Sequence, residues 1–113
     1  MRTLVTGASG FIGRVLCGQL LARGHEVSAL VRRPGSEPEG TRAVVADLCD
    51  GPGLFEAVAG ERPDCVVHLA AEIASQRSER KIFTVNVEGT ARLVDASRAL
   101  AESDPSAHGP RFV

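Results

Sequence analysis

The chain has 113 residues, enough for one hydrophobic core and too few for two, and folding at this size removes roughly two-thirds of the unfolded surface from water. Its 13 Lys and Arg against 14 Asp and Glu leave a net charge of −1, which excludes the dense positive field that nucleic acid or an anionic membrane surface would need. The three cysteines, Cys17, Cys49 and Cys65, are widely spaced, offer neither a zinc-type pair nor a redox dithiol, and read as reduced thiols of a cytoplasmic protein.

In chain order, the opening "MRTLVTGASG" has too short an apolar stretch for a signal peptide or a membrane span, and a soluble chain is expected. Residues 3 to 6 read as a short buried strand. Residues 11 to 23 read as a helix, with Phe11, Ile12, Val15, Leu16 and Leu20 at helical spacing on its core face and Gly24 just past its end. A second strand is expected over residues 26 to 31, closed by Pro34, and "RRPGSEPEG" at 32 to 40 is a surface loop. Residues 42 to 46 read as a third strand, 54 to 59 as a short helix ended by Gly60, and 65 to 69, "CVVHL", as a fourth strand buried on both faces. A long helix follows from about 79 to 100, with Phe83, Val87, Ala91 and Val94 on one face. After a polar loop, "AESDPSAHGP", the residues "RFV" begin a fifth strand. This alternation predicts a doubly wound α/β domain over residues 1 to 113. Its parallel sheet has strand order 3-2-1-4 with the start of strand 5, right-handed crossovers, and a ligand site at the switch point beside strand 1.

The motif between the first strand and the first helix is "TGASGFIG", residues 6 to 13. Gly7 permits the turn, Gly10 lets the main chain approach a pyrophosphate, and Gly13 lets the helix pack close to the sheet. The free N–H groups of that helix end, around Ser9, Gly10, Phe11, Ile12 and Gly13, then face the phosphates of a dinucleotide. The alternative is a tight corner that binds nothing. No Gly-Lys-Ser/Thr follows, so a nucleoside-triphosphate loop is excluded. About 20 residues beyond such a loop stands the group that meets the adenosine ribose. Here Arg32 and Arg33 occupy that place, and Glu26 stands at the wrong end of its strand. A carboxylate would select NAD, whereas guanidinium groups pair with the 2′-phosphate of NADP. NADP is therefore expected over NAD, the other reading being two solvated arginines at a strand end.

"TGASGFIG", "ADLCD" at 46 to 50, "DCVVHLAA" at 64 to 71 and "NVEGT" at 86 to 90, in this order, resemble the N-terminal part of the extended short-chain dehydrogenases/reductases, the NAD(P)-dependent epimerase/dehydratase group. "VTGASGFIG" with "GHEVSALVRRP" is most similar to the dihydroflavonol-reductase-like branch. The resemblance implies that Asp47 and the Leu48 backbone meet the adenine ring, and that Leu69, Ala70 and Ala71 lie against the cofactor ribose. It also implies that Asn86 belongs to a helical interruption linked to a proton relay, although a residue packed on the sheet would account for the interruption alone. The bland readings are a turn carboxylate at Asp47 and ordinary packing at Ala70 and Ala71. His68 and Asp64 read as structural, and Thr90 as helix packing.

The family's hydride chemistry, as the resemblance implies it, uses a Tyr whose pKa a nearby Lys lowers, with a Ser or Thr after the fifth strand. The chain has no Tyr, and Lys81 is its only lysine. The expectation is thus a cofactor-binding portion of a longer enzyme that acts on a small alcohol, ketone or sugar nucleotide. It would meet its substrate only in that longer chain and would not be catalytic alone. A stand-alone NADP sensor is the alternative. An uncovered sheet edge predicts self-association.

Overall fold

The computed structural model describes residues 1–71, 79–104 and 109–113. Five parallel strands form one sheet in the order β3-β2-β1-β4-β5: β1 Arg2–Thr6, β2 Glu26–Val31, β3 Arg42–Val45, β4 Cys65–His68 and β5 Arg111–Phe112. The expected order and the doubly wound α/β class are what the structure has. β1 is central, with Thr3 against both Val27 and Cys65 and Thr6 against both Leu30 and His68. Apart from their first residues, β1 and β2 are buried throughout, as an apolar run between two helical layers requires.

Alternate residues sort into two cores. Leu4, Leu30, Val44 and Val66 face one side, where Leu54 and Val58 of α2 (Gly51–Glu61) and Leu93 and Ala96 of α4 (Thr90–Ser103) cover them. Val5, Val27, Ala29 and Val31 face the other, under Cys17 of α1 (Phe11–Ala22). Leu4, Leu54 and Leu93 are fully buried, and each such side chain contributes about 1.5–3 kcal/mol by leaving water.

The helices depart from the sequence reading in instructive ways. α1 stops at Ala22, where the Arg23 amide bonds back to the Gln19 and Leu20 carbonyls and Gly24 turns the chain at φ +82°. Its core face is also narrower than expected. Gly13 and Cys17 are buried and Leu16 and Leu20 partly so, but Phe11, Ile12 and Val15 are exposed, Phe11 at 88%. The helix touches the sheet through its small residues, and larger ones at those positions would hold it off.

α2 is longer than residues 54 to 59. Asp50 caps it by accepting from the Gly53 amide at 3.2 Å, and Pro52 suits a first turn that needs no N–H donor there. Its end is set by Arg62 in the left-handed region at φ +46°, not by Gly60. The long helix is three consecutive pieces: α3 (Glu79–Phe83), a π-helical segment Thr84–Gly89, and α4, which runs on to Ser103. Its expected apolar face is not its buried one. Phe83, Val87 and Ala91 are exposed, while Gly89, Leu93, Ala96 and Ser97 face inward. The wider π register rotates the two halves relative to a single 3.6-residue period, so no one stripe runs the whole length. The polar loop expected over 101 to 110 falls in part on residues outside those described.

The strand ends are pinned by polar contacts. Asp64 accepts from the Arg2 amide at 2.8 Å and holds its guanidinium at 3.7 Å, and these hold its carboxyl below the usual carboxylate range. Glu61, at the end of α2, accepts from Ser28 of β2 and from Arg42 of β3. The three cysteines are free thiols, Cys17 and Cys65 buried and Cys49 exposed. Among the described residues no helix is long and apolar enough to cross a membrane.

Candidate functional site

The C-terminal ends of β1, β2, β3 and β4 open onto one cleft of about 770 Å³. This is the switch point, where α1 leaves β1 on one side of the sheet and the later crossovers leave on the other. One wall is the glycine loop. Gly7 has φ +66°, and a Cβ there would stand 2.7 Å from both the Ala70 nitrogen and the Leu69 carbonyl carbon, so only glycine lets the loop lie on the end of β4. A Cβ on Gly13 would come within 2.2 Å of the Gly7 carbonyl oxygen and 2.7 Å of the Ala8 Cα. The close packing at Gly13 is therefore against the loop itself and not, as expected, against the sheet.

The loop is closed by the Gly10 amide donating to the Gly7 carbonyl at 3.1 Å, and Arg14 Nε ties the Ser9 carbonyl at 3.0 Å. Gly10 is the N-cap of α1, and among the described residues no side chain caps that end and no carboxylate stands in its first turn. The amides of the turn are left for a ligand or water.

The opposite wall is basic. Arg32 and Arg33 leave β2 into a tight turn in which Ser36 donates through Oγ to the Arg33 carbonyl at 2.7 Å, while Gly35 takes φ +89°. Arg32, Arg33 and Ser36 all line the cleft. Asp47 follows β3 and accepts from the Cys49 amide through Oδ1 at 2.9 Å, a turn carboxylate whose two oxygens retain further acceptor capacity. Leu48 is buried in the core, and its carbonyl accepts from Arg92 at 3.3 Å, which fixes the backbone beside Asp47. Burial first, then the Asp47 carboxylate, push the Cys49 thiol up, so it stands as a thiol at neutral pH.

The floor is the end of β4. The Leu69 amide donates to the Thr6 carbonyl at 3.2 Å, and the Ala70 amide to Thr6 Oγ1, also at 3.2 Å. Thr6 Oγ1 lies 2.6 Å from His68 Nδ1, and His68 Nε2 lies 2.7 Å from Thr90 Oγ1. Thr90 does more than the helix packing expected of it. Burial lowers the pKa of His68.

The structure thus brings Gly7, Ser9, Gly10, Arg32, Arg33, Asp47, Leu48, Leu69, Ala70 and Ala71 to one cleft. Gly13 lies beneath the loop, the Phe11 and Ile12 side chains project into solvent, and Asn86 sits in the π segment away from the lining. Ser36, Cys49, Lys81 and Val85 also line it. No sequence signal pointed to Lys81 and Val85, because only the fold carries that helix across the sheet end. Ser36 carried a weak one, a hydroxyl three residues past an arginine in a Pro-Gly turn.

Residues 3–113 match the model of the NAD dependent epimerase/dehydratase family. A 3-diazoavenalumate denitrifying reductase from Streptomyces sp is 45% identical over 104 residues, which cover 88% of this chain and 34% of the reductase. A UDP-glucose 4-epimerase from Mycolicibacterium smegmatis is 42% identical over 110 residues, 87% of this chain and 35% of the epimerase. Among solved structures, the Thermus thermophilus UDP-glucose 4-epimerase in complex with NAD has a TM-score of 0.78 and 36% identity, and the match covers 89% of this chain and 35% of that one. The chain spans about a third of the length of these relatives.

Proposed function

The chain belongs to the NAD dependent epimerase/dehydratase family, and on that premise we propose that it is the dinucleotide-binding portion of an NAD(P)-dependent oxidoreductase, epimerase or dehydratase. Its substrate would be a small alcohol, ketone or sugar nucleotide. The observation that carries this reading is the cradle in which a Cβ at Gly7 or Gly13 would collide with backbone, set across one cleft from Arg32 and Arg33. A pyrophosphate fits against the uncapped amides of α1, an adenine against Asp47 and the Leu48 backbone, and a ribose against the small residues Ala70 and Ala71. When bound, the nicotinamide supplies or takes up a hydride. This chain's own residues bind and orient the dinucleotide, and Phe11 and Ile12 contribute backbone amides while their side chains point away.

The cofactor preferred is NADP. Arg32 and Arg33 supply two cations where a 2′-phosphate would lie, and Asp47, a carboxylate lining the cleft, is the group set against the adenine in this reading. A titration of the 113-residue chain with NADPH and NADH decides it. NADPH is expected to bind tighter, and Arg32→Ala to weaken NADPH by about tenfold with little effect on NADH, the size of one charge-assisted hydrogen bond. Equal affinities in the wild-type chain, or equal losses in the variant, would overturn the assignment. With no Tyr to act as the phenolic acid, NADPH oxidation by this chain alone stays at the blank rate. The exposed outer edge of β5 is where copies associate.

A further inference from the structure

The hydrogen bonds beneath the cleft have a direction that can be read from their ends. The Thr90 hydroxyl lies 2.7 Å from the Asn86 carbonyl, and a carbonyl only accepts, so Thr90 donates its one proton there. Facing His68 Nε2 at 2.7 Å, Thr90 Oγ1 is then an acceptor, and Nε2 carries the hydrogen. At the other end the Ala70 amide donates to Thr6 Oγ1, whose own proton is left for His68 Nδ1 at 2.6 Å. One arrangement satisfies every member: Ala70 N–H to Thr6, Thr6 O–H to Nδ1, Nε2–H to Thr90, Thr90 O–H to the Asn86 carbonyl. The other neutral tautomer sets two lone pairs facing each other between Nε2 and Thr90. The imidazolium sets an N–H against Thr6, which must then turn its proton elsewhere while still holding Ala70.

One end lines the cleft and the other belongs to a segment that does. Ala70 lines it and is the backbone on which Gly7 rests, and the Asn86 carbonyl belongs to the π segment whose Val85 lines it from above. His68 does not line it. We propose that His68 is a positioning residue for the dinucleotide cleft, setting the Ala70 floor and the π segment relative to each other as the neutral Nε2–H tautomer, a role that rests on the dinucleotide reading above.

The surroundings suit a neutral ring. His68 meets hydroxyls from β1 and α4, and from β5 it meets the Phe112 ring at 6.1 Å between centroids. The terminal residue Val113 accepts from the His68 backbone amide at 2.9 Å, and several charged side chains near these elements are placed away from the ring. Arg2 pairs with Asp64 at the far end of β1 and β4, Arg111 stands beside Cys65 at the far end of β5, and Glu88 pairs with Arg92 at 3.5 Å on the helix. Lys81 of α3 is at the cleft. Burial is the cause that lowers the pKa of the ring, so the proton arrives at a lower pH than on an ordinary histidine.

Two measurements on the 113-residue chain test this. Long-range proton–nitrogen NMR correlation without cofactor is expected to show an imine-type Nδ1 and a protonated Nε2. A protonated Nδ1 or a rapidly averaging pair would overturn the tautomer and the proposal. Titration across pH with NADPH and with NADH, which has no 2′-phosphate to protonate, is expected to show both affinities falling as His68 gains its proton, with Thr90→Ser retaining the wild-type profile and Thr90→Val weakening binding by about tenfold. If the wild-type chain binds NADPH and neither acid nor Thr90→Val changes the affinity, the positioning role is wrong and the dinucleotide reading stands. If the wild-type chain binds neither NADPH nor NADH, the dinucleotide reading fails first and this inference with it.

Discussion

Thr3 is an extended residue of the central strand, and among the described residues its hydroxyl is the buried side-chain oxygen that has no hydrogen-bond partner. It lies on the α1 face of β1, whereas Thr6 lies on the opposite face and holds both Ala70 and His68. Two threonines three positions apart therefore have opposite effects on stability. Thr3→Val removes an unsatisfied group at constant volume and is expected to raise the unfolding free energy by about 1 kcal/mol, read as a higher urea midpoint with unchanged slope. At this scale the sequence was most legible where backbone geometry forces one residue type. The offsets of Gly7, Gly10 and Gly13 identify the loop because no side chain fits at Gly7 or Gly13. It was least legible where residue identity leaves direction open. Phe11 and Ile12 read as core at helical spacing, yet the small residues Gly13 and Cys17 make the contact.

At the scale of elements, α2 depends on its first turn. The segment from Asp50 to Gly53 has the composition of a loop, and it becomes helix because the Asp50 carboxylate accepts the Gly53 amide and Pro52 already has a helical φ. Asp50→Ala is expected to destabilise the chain by about 1 kcal/mol, while Asp50→Ser, another good cap, recovers most of that loss in the same denaturation experiment. The π segment shows a different limit on reading elements from sequence. Helical periodicity assumes a constant turn, and an inserted wider turn shifts every later residue around the axis. Leu93 and Ala96 become core, and Phe83 and Val87, which share a stripe with Ala91 in an uninterrupted helix, are turned outward. β1 and β2 had no such ambiguity: runs buried on both faces need no phase, and β2 matches its expected limits residue for residue, whereas β4, expected to be buried on both faces, is only half-buried at Val67 and His68.

For the whole molecule, strand order follows from alternating strands and helices with right-handed crossovers, and this is why the cleft could be placed before its residues were seen together. The edges of that sheet are unequal. β3 ends one side, with Val45 exposed, and the two-residue β5 ends the other, with Phe112 and Val113 exposed. The association proposed for the β5 edge predicts a weight-average mass in sedimentation equilibrium that rises with loading concentration, and Phe112→Lys is expected to return the chain to monomer. A wild-type monomer at all concentrations would remove the edge from consideration. β1 also has a consequence for how the chain folds. It pairs with β2 about two dozen positions away, but its other partner, β4, begins at Cys65, and their pairing sets Thr3 against that residue. Closing that long loop costs more chain entropy than pairing β1 with β2, and the β1–β4 pairing is expected to follow it. The floor of the cleft, made by Leu69 and Ala70 against Thr6, is therefore expected to assemble after β1 and β2 have paired around α1.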